Sequence, residues 1–223
     1  METLQSLADR HTGRRCFIVG NGPSLQGMNL GLLEGERFFA VNRGYLAREI
    51  GLPPIPYLVI SDPGTYKAYW QEIREIEVGL RLYRTTVTDL PEYRDAPHRE
   101  AAIEVPYHEA PGMEEGHFAT DLTQGMYRGY TVVLDAAQIA FHMGFTSVFF
   151  IGVDLTSTLQ QTHFYETAAY EQSRIDDMPK DKVRQSFRVA LEVFHKHGRR
   201  LVNATEGGTL DELPRASFDS LFC

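Results

Sequence analysis

Cysteine is almost missing from this chain: Cys16 lies inside an apolar run and Cys223 is the last residue. Two such positions exclude a disulfide-built secreted scaffold and a cysteine zinc centre, and they point to a reducing, cytoplasmic setting. Also missing is any apolar stretch of the roughly 20 residues that a membrane helix needs. The opening Met1-Glu2-Thr3-Leu4 lacks the basic-then-apolar order of a signal peptide. Work at the inner membrane is therefore expected to be peripheral. Runs of Lys or Arg are absent as well. With 22 Lys plus Arg against 30 Asp plus Glu, the formal charge is -8, which excludes the broad basic footprint of a nucleic-acid binder. His108 and His117 lack the spacing of a zinc site.

What is present is ordinary globular material, 223 residues of which 43% are hydrophobic, enough for one domain over residues 1–223 with a sizeable core. Short apolar runs at 16–19, 38–41, 57–60 and 148–153 stop at polar or glycine-rich residues and read as strands, with weaker ones at 80–83 and 201–202. Continuous apolar runs suit parallel strands covered on both faces. Helical spacing appears at 65–76, at 131–143, which is apolar nearly all round and so expected to be buried, and at 182–197. The expected fold is α/β: an open, mostly parallel, Rossmann-like sheet with helices on both faces. Residues 85–129, broken by four prolines and several glycines, read as an irregular insertion or lid, and 155–179 as a second irregular stretch. The apolar tail with Phe218, Leu221 and Phe222 is expected to pack on the body or on a second copy, so a homo-oligomer stays open.

In such sheets ligands bind outside the carboxyl ends of the strands. The residues that follow the apolar runs share a polar character: Gly20-Asn21-Gly22-Pro23-Ser24, Asn42-Arg43, Ser61-Asp62, Asp154, and Asn203-Ala204-Thr205. Gly20 and Gly22 let a backbone approach a bulky anion, Pro23 fixes one dihedral, and Ser24 offers a hydroxyl to phosphate or to a helix cap. The loop has neither the Gly-Lys-Ser/Thr of a P-loop nor the third glycine of a dinucleotide fingerprint, and a tight turn explains it equally well. Asp62 and Asp154 suit a metal, a ribose hydroxyl, a base or a turn cap. His163, close after Asp154, has the residue type of a general base. His142 reads as packing or capping within its helix.

Three ordered segments, Gly20-Asn21-Gly22-Pro23-Ser24-Leu25, Gly152-Val153-Asp154-Leu155 with His163, and Asn203-Ala204-Thr205-Glu206-Gly207-Gly208, resemble the family of proteins similar to archaeal 6-hydroxymethylpterin diphosphokinase, which also holds bacterial surface-glycan proteins. The first segment, Asn42, and the helix from Thr131 followed by Gly152-Val153-Asp154 also resemble the sialyltransferases of glycosyltransferase family 42. That resemblance implies a nucleotide-activated sugar donor, possibly CMP-linked, a glycan acceptor, a histidine base and no required metal. It makes Asn21, Gly22, Ser24, Asn42, Thr131 and Asp154 nucleotide-binding candidates. The chain reads Thr131-Val132-Val133 where that family has Thr-Ser-Gly. The diphosphokinase resemblance implies magnesium and ATP instead, with Asp62 and Asp154 as the metal ligands. A nucleotide- or glycan-binding module without chemistry is the third expectation.

Overall fold

Alternation inside the apolar runs decides how the sheet is covered. The computed structural model describes residues 2–95, 101–155, 162–165 and 177–223. In β1 (Arg15–Val19), Phe17 and Val19 face one side while Cys16 and Ile18 face the other, and both sides are buried. The same holds for β2 (Phe38–Val41), β3 (Ile55–Ile60), β8 (Ser147–Ile151) and β9 (Arg200–Asn203). With β4 (Val78–Arg84) and β5 (Ile103–Val105) they form one seven-stranded sheet in the order β5-β4-β3-β2-β1-β8-β9, and every pairing is parallel. The expected fold class is the one observed.

One face carries α5 (Val132–His142) and α6 (Lys180–Lys196), with the short α1 (Leu4–Leu7) beside them. The other carries α2 (Pro63–Glu75), three 3-10 segments (Pro23–Gly27, Leu30–Leu33, Asn42–Ile50) and the C-terminal tail. There Phe222 stacks on Phe17 at 5.6 Å and Phe218 is fully buried. His142 is buried in α5: its Nδ1 accepts the Leu122 N–H at 3.3 Å and its Nε2 donates to the Leu4 carbonyl at 2.9 Å, which closes the insertion and the N-terminus over the helix.

The insertion is more regular than its sequence. After β4 come α3 (Thr85–Thr88) and α4 (Pro91–Arg94), then β5 joins the main sheet as an edge. β6 (Tyr107–His108) and β7 (Met126–Tyr127) form a separate parallel pair. A three-residue strand with an exposed Glu104 between buried Ile103 and Val105 leaves too short a signal to read. Parts of both irregular stretches, 96–100, 156–161 and 166–176, lie outside the described residues. No described helix is long and apolar enough to cross a membrane.

The chain runs from β1 outward to β5 and then returns to build β8 and β9 on the other side of β1. The strand order therefore reverses between β1 and β8. A crevice must open at their carboxyl ends, where the connections leave in opposite directions.

Candidate active site

A cavity of about 480 Å³ occupies that crevice. Gly20, Asn21 and Gly22 come to it from the end of β1, Asn42 from β2, Ser61, Asp62 and Thr65 from β3, Arg84 from β4, and Gly152 to Leu155 from β8. The insertion adds Tyr107, Glu109, Arg128 and Tyr130, the start of α5 adds Thr131, Val132, Val133 and Asp135, and His163 and Tyr165 complete the wall with residues 177–180.

The two sides of the cavity are built differently. At the β1–β8 side the two loops are welded. The Gly20 N–H donates to the Ile151 carbonyl and the Gly22 N–H to the Gly152 carbonyl, both at 2.8 Å. A Cβ on Gly20 would stand 2.4 Å from the Gly152 carbonyl oxygen, and one on Gly22 would stand 1.7 Å from Asp154 Oδ2. The glycines are needed for this approach of loop to loop. Asp154 Oδ2 accepts from the Ser24 hydroxyl at 2.9 Å and from the Ser24 N–H at 3.5 Å. The start of the 3-10 turn Pro23–Gly27 thus already holds an anion, the protein's own carboxylate. Burial raises the Asp154 pKa, and the Ser24 hydrogen bonds oppose that rise. Behind it, the Asp154 carbonyl accepts the Thr209 N–H at 2.8 Å and the Val153 N–H donates to Thr205 Oγ1 at 3.0 Å.

These contacts sort the residues that the sequence singled out. Asn203 and Thr205 do not line the cavity; the Asn203 amide is taken by the Leu210 carbonyl at 2.9 Å and the Thr205 N–H at 3.0 Å, a brace beneath the loop. Pro23 and Ser24 are likewise absent from the lining. Asp62 caps α2, accepting from the Gly64 N–H at 3.0 Å and the Thr65 hydroxyl at 2.9 Å. Asn42, at φ 47°, accepts the Ser61 and Asp62 N–H groups at 3.2 and 3.4 Å and so fixes the ends of β2 and β3 together. Asn21 is different. Its Nδ2 donates to the Val41 carbonyl at 3.2 Å, while its buried Oδ1 has no partner among the described residues. Among the described residues no group of three or more His, Cys, Asp or Glu is gathered as for a metal ion. Asp62 and Asp154, the residues considered for magnesium, are engaged at two separate strand ends.

The opposite side is open and polar. Thr131 is the N-cap of α5 but makes no side-chain capping bond, and Val132 and Val133, whose N–H groups lie beyond the reach of the helical ladder, line the cavity. Such a helix end favours negative charge. Asp135, one turn in, is buried; burial raises its pKa, and the Arg84 charge and Ser61 hydroxyl pull it down. Arg84 NH1 stands 3.8 Å from Asp135 Oδ2 and its guanidinium lies 4.1 Å over the Tyr107 ring. Arg128 NH1 pairs with Glu109 at 2.7 Å, its NH2 donates to the Tyr130 hydroxyl at 2.9 Å, and that hydroxyl bonds Glu114.

His163 sits at the junction, its ring parallel to Tyr165 with 4.8 Å between centroids. Arg43 does not line the cavity; its guanidinium lies 4.0 Å over Tyr69 and 4.6 Å over Tyr165. Burial first and the Arg43 charge second lower the His163 pKa to about 4. The imidazole is therefore neutral at pH 7.

Sequence reasoning missed Arg84, Tyr107, Glu109, Arg128, Tyr130 and Asp135. One signal was available: a carboxylate in the middle of Val133-Leu134-Asp135-Ala136, in a helix whose other polar residues are Gln138 and His142. A carboxylate is rarely buried there without a cation to meet it.

The fold has counterparts among solved structures. The MAf glycosyltransferase from Magnetospirillum magneticum AMB-1 superposes over 96% of this chain with a TM-score of 0.59 at 16% identity; the chain spans only 35% of that protein. The sialyltransferase CstII from Campylobacter jejuni, solved with a substrate analogue, cytidine-5′-monophosphate, superposes over 93% of this chain and 88% of its own, at TM-score 0.54 and 11% identity. The chain shares its fold with bacterial glycosyltransferases. A variant of the same sialyltransferase with CMP gives a TM-score of 0.57 at 11% identity, over 91% of this chain and 86% of its own. The sequence matches no family model and no curated protein at a significant level.

Proposed function

We propose that the chain is a glycosyltransferase that takes a nucleotide-activated sugar, with a CMP-linked nonulosonic acid as donor, and passes the sugar to a glycan acceptor in surface polysaccharide or glycoprotein synthesis. The observation that carries this reading is the cavity at the β1–β8 reversal, in a fold shared nearly end to end with a sialyltransferase solved with CMP. Three features of the cavity fit such a donor. Asn21, whose buried Oδ1 has no partner among the described residues, lines the cavity and suits a base amino group or a ribose hydroxyl. The start of α5, with Arg84 and Arg128 on the same side, suits the phosphate. Neutral His163 suits a base.

In this reading the acceptor hydroxyl attacks the anomeric carbon of the donor, the bond from that carbon to the phosphate oxygen breaks, and CMP departs with both bonding electrons. The acceptor proton passes to the His163 imidazole. Phosphate charge that grows on the leaving group is met by fixed donors at the start of α5 rather than by solvent.

A thermal-shift panel of CMP, UDP, GDP and ATP, each with and without magnesium, tests the proposal through stabilisation by a site ligand. Metal-independent stabilisation by CMP is the expected result. Stabilisation by ATP only with magnesium would transfer the site to a diphosphokinase, with 6-hydroxymethyl-dihydropterin as its alcohol substrate. CMP binding without sugar transfer to any acceptor would leave a binding module.

A further inference from the structure

A second cavity, of about 570 Å³, lies at the opposite pole of the sheet, where β1 and β2 begin. Four arginines and a histidine are among its eight lining residues: Arg10, His11, Arg14, Arg15 and Arg37, with Glu36 as the one acid. The five residues of β1 separate it from the β1–β8 crevice by about 16 Å, so it belongs to a different ligand.

The charges in this cavity are not balanced from within. Glu36 is used up by Arg15, through Nε at 3.2 Å and NH2 at 2.5 Å, and the third Arg15 nitrogen donates to the Leu221 carbonyl at 2.7 Å. Arg10 has an exposed pairing with Glu2 at 2.8 Å. Arg14 and Arg37 have no side-chain partner among the described residues. Their fields meet at His11, whose pKa is lowered by burial and then by the charges of Arg37, Arg10 and Arg14. The floor is rigid, since His11 stacks on Phe145 with 4.5 Å between centroids and its Nε2 lies 2.7 Å from the Tyr57 hydroxyl. In a chain of formal charge -8, the exposed guanidiniums of Arg10, Arg14 and Arg37 gather around one hollow and repel one another, and a multivalent oxyanion relieves that repulsion.

We infer that the hollow between Arg10, Arg14 and Arg37 is a binding site for a phosphate- or diphosphate-bearing ligand, distinct from the sugar-nucleotide cavity. Guanidiniums match phosphoryl oxygens in pairs, and three of them exceed what a single carboxylate can use. The phosphoryl group can be that of a free small molecule or of a lipid headgroup.

Inorganic pyrophosphate titrated at constant ionic strength, followed through backbone amide resonances, tests the inference. The expected result is a saturable shift of the His11, Thr12 and Gly35 amides with those of Gly20 and Gly22 unmoved, weakened at least about tenfold in the Arg14→Gln/Arg37→Gln double variant. The urea midpoint without ligand should be unchanged in that variant. If it falls, Arg14→Lys/Arg37→Lys, which keeps the charge, should restore both fold and binding. Vesicles of phosphatidylglycerol in phosphatidylcholine form the second arm. Recruitment that the double variant loses, without saturation by pyrophosphate, supports the site and assigns it to a headgroup. Equal behaviour of wild type and double variant in both arms, or no binding in either, would overturn the inference.

Discussion

The β1–β8 loops and the start of α5 face each other across one cavity, both with backbone N–H groups suited to an anion, yet only one of them is available. The first pair is closed on itself: Asp154 fills the position beside Ser24 where a phosphate would sit, and Gly22 brings the loop within reach of that carboxylate. The second has an uncapped helix end with Arg84 and Arg128 on the same side. A glycine-rich loop after the first strand is therefore a joint here, and the recognition of negative charge moves across the cavity. A motif shows what a backbone can do, and the neighbouring side chains decide whether it is left free to do it.

The largest break in that comparison comes from closing the joint's clearance. Gly20→Ala places a methyl group against the Gly152 carbonyl, backbone that cannot turn aside, and should cost about 3 kcal/mol in urea unfolding. Gly22→Ala meets the Asp154 side chain first and the Gly152 carbonyl second, so Asp154→Ala should recover only part of its loss in a double-mutant cycle. Next, Arg84→Gln leaves Asp135 buried without its cation and should cost about 2 kcal/mol, which Asp135→Asn restores. Stability returns in the double variant, but CMP affinity should stay at least about tenfold weaker. Ser24→Ala removes one hydrogen bond to Asp154, about 1 kcal/mol, with little change in CMP binding.

The smallest equilibrium effect concerns His163. Its folded pKa, about 4, lies below the ordinary 6.5, so between those values the unfolded chain binds more protons. Stability therefore falls as pH drops through that window, and His163→Gln should flatten part of the fall. In turnover the same residue matters more: His163→Ala should lower sugar transfer roughly 100-fold with nucleotide binding retained, and near-normal transfer would remove it from the mechanism.

How much of this was legible in the sequence follows from what each signal depends on. Strands β1, β2, β3 and β8 and helix α5 are continuous apolar runs with polar stops, and these properties belong to the chain itself. So does the parallel sheet, because strands apolar on both faces need cover on both. The edge strand β5 and the pair β6–β7 are two or three residues long and are strands only because a partner lies beside them. In the site, the rule that strand ends converge placed Gly20, Asn21, Gly22, Asn42, Asp62 and Asp154 at the cavity, while Thr131 came from the family resemblance and His163 from its position close after Asp154. Asn203 and Thr205 follow the same rule and fail it, because the next loop folds back and takes their polar atoms. Arg84, Arg128 and Asp135 were hidden for the opposite reason. Arg84 and Arg128 are unremarked in their own segments, Asp135 stands out only as a carboxylate in an apolar stretch, and their meeting depends on β4, the insertion and α5 packing together.

The most direct test is calorimetric titration of CMP into the wild type, Ser24→Ala and the Arg84→Gln/Asp135→Asn pair, with unfolding midpoints measured alongside. Affinity within about threefold of wild type is expected for Ser24→Ala and at least about tenfold weaker for the pair, at comparable stability. Loss of CMP binding in Ser24→Ala, with binding intact in the pair, would contradict this expectation and return the phosphate to the loop after β1.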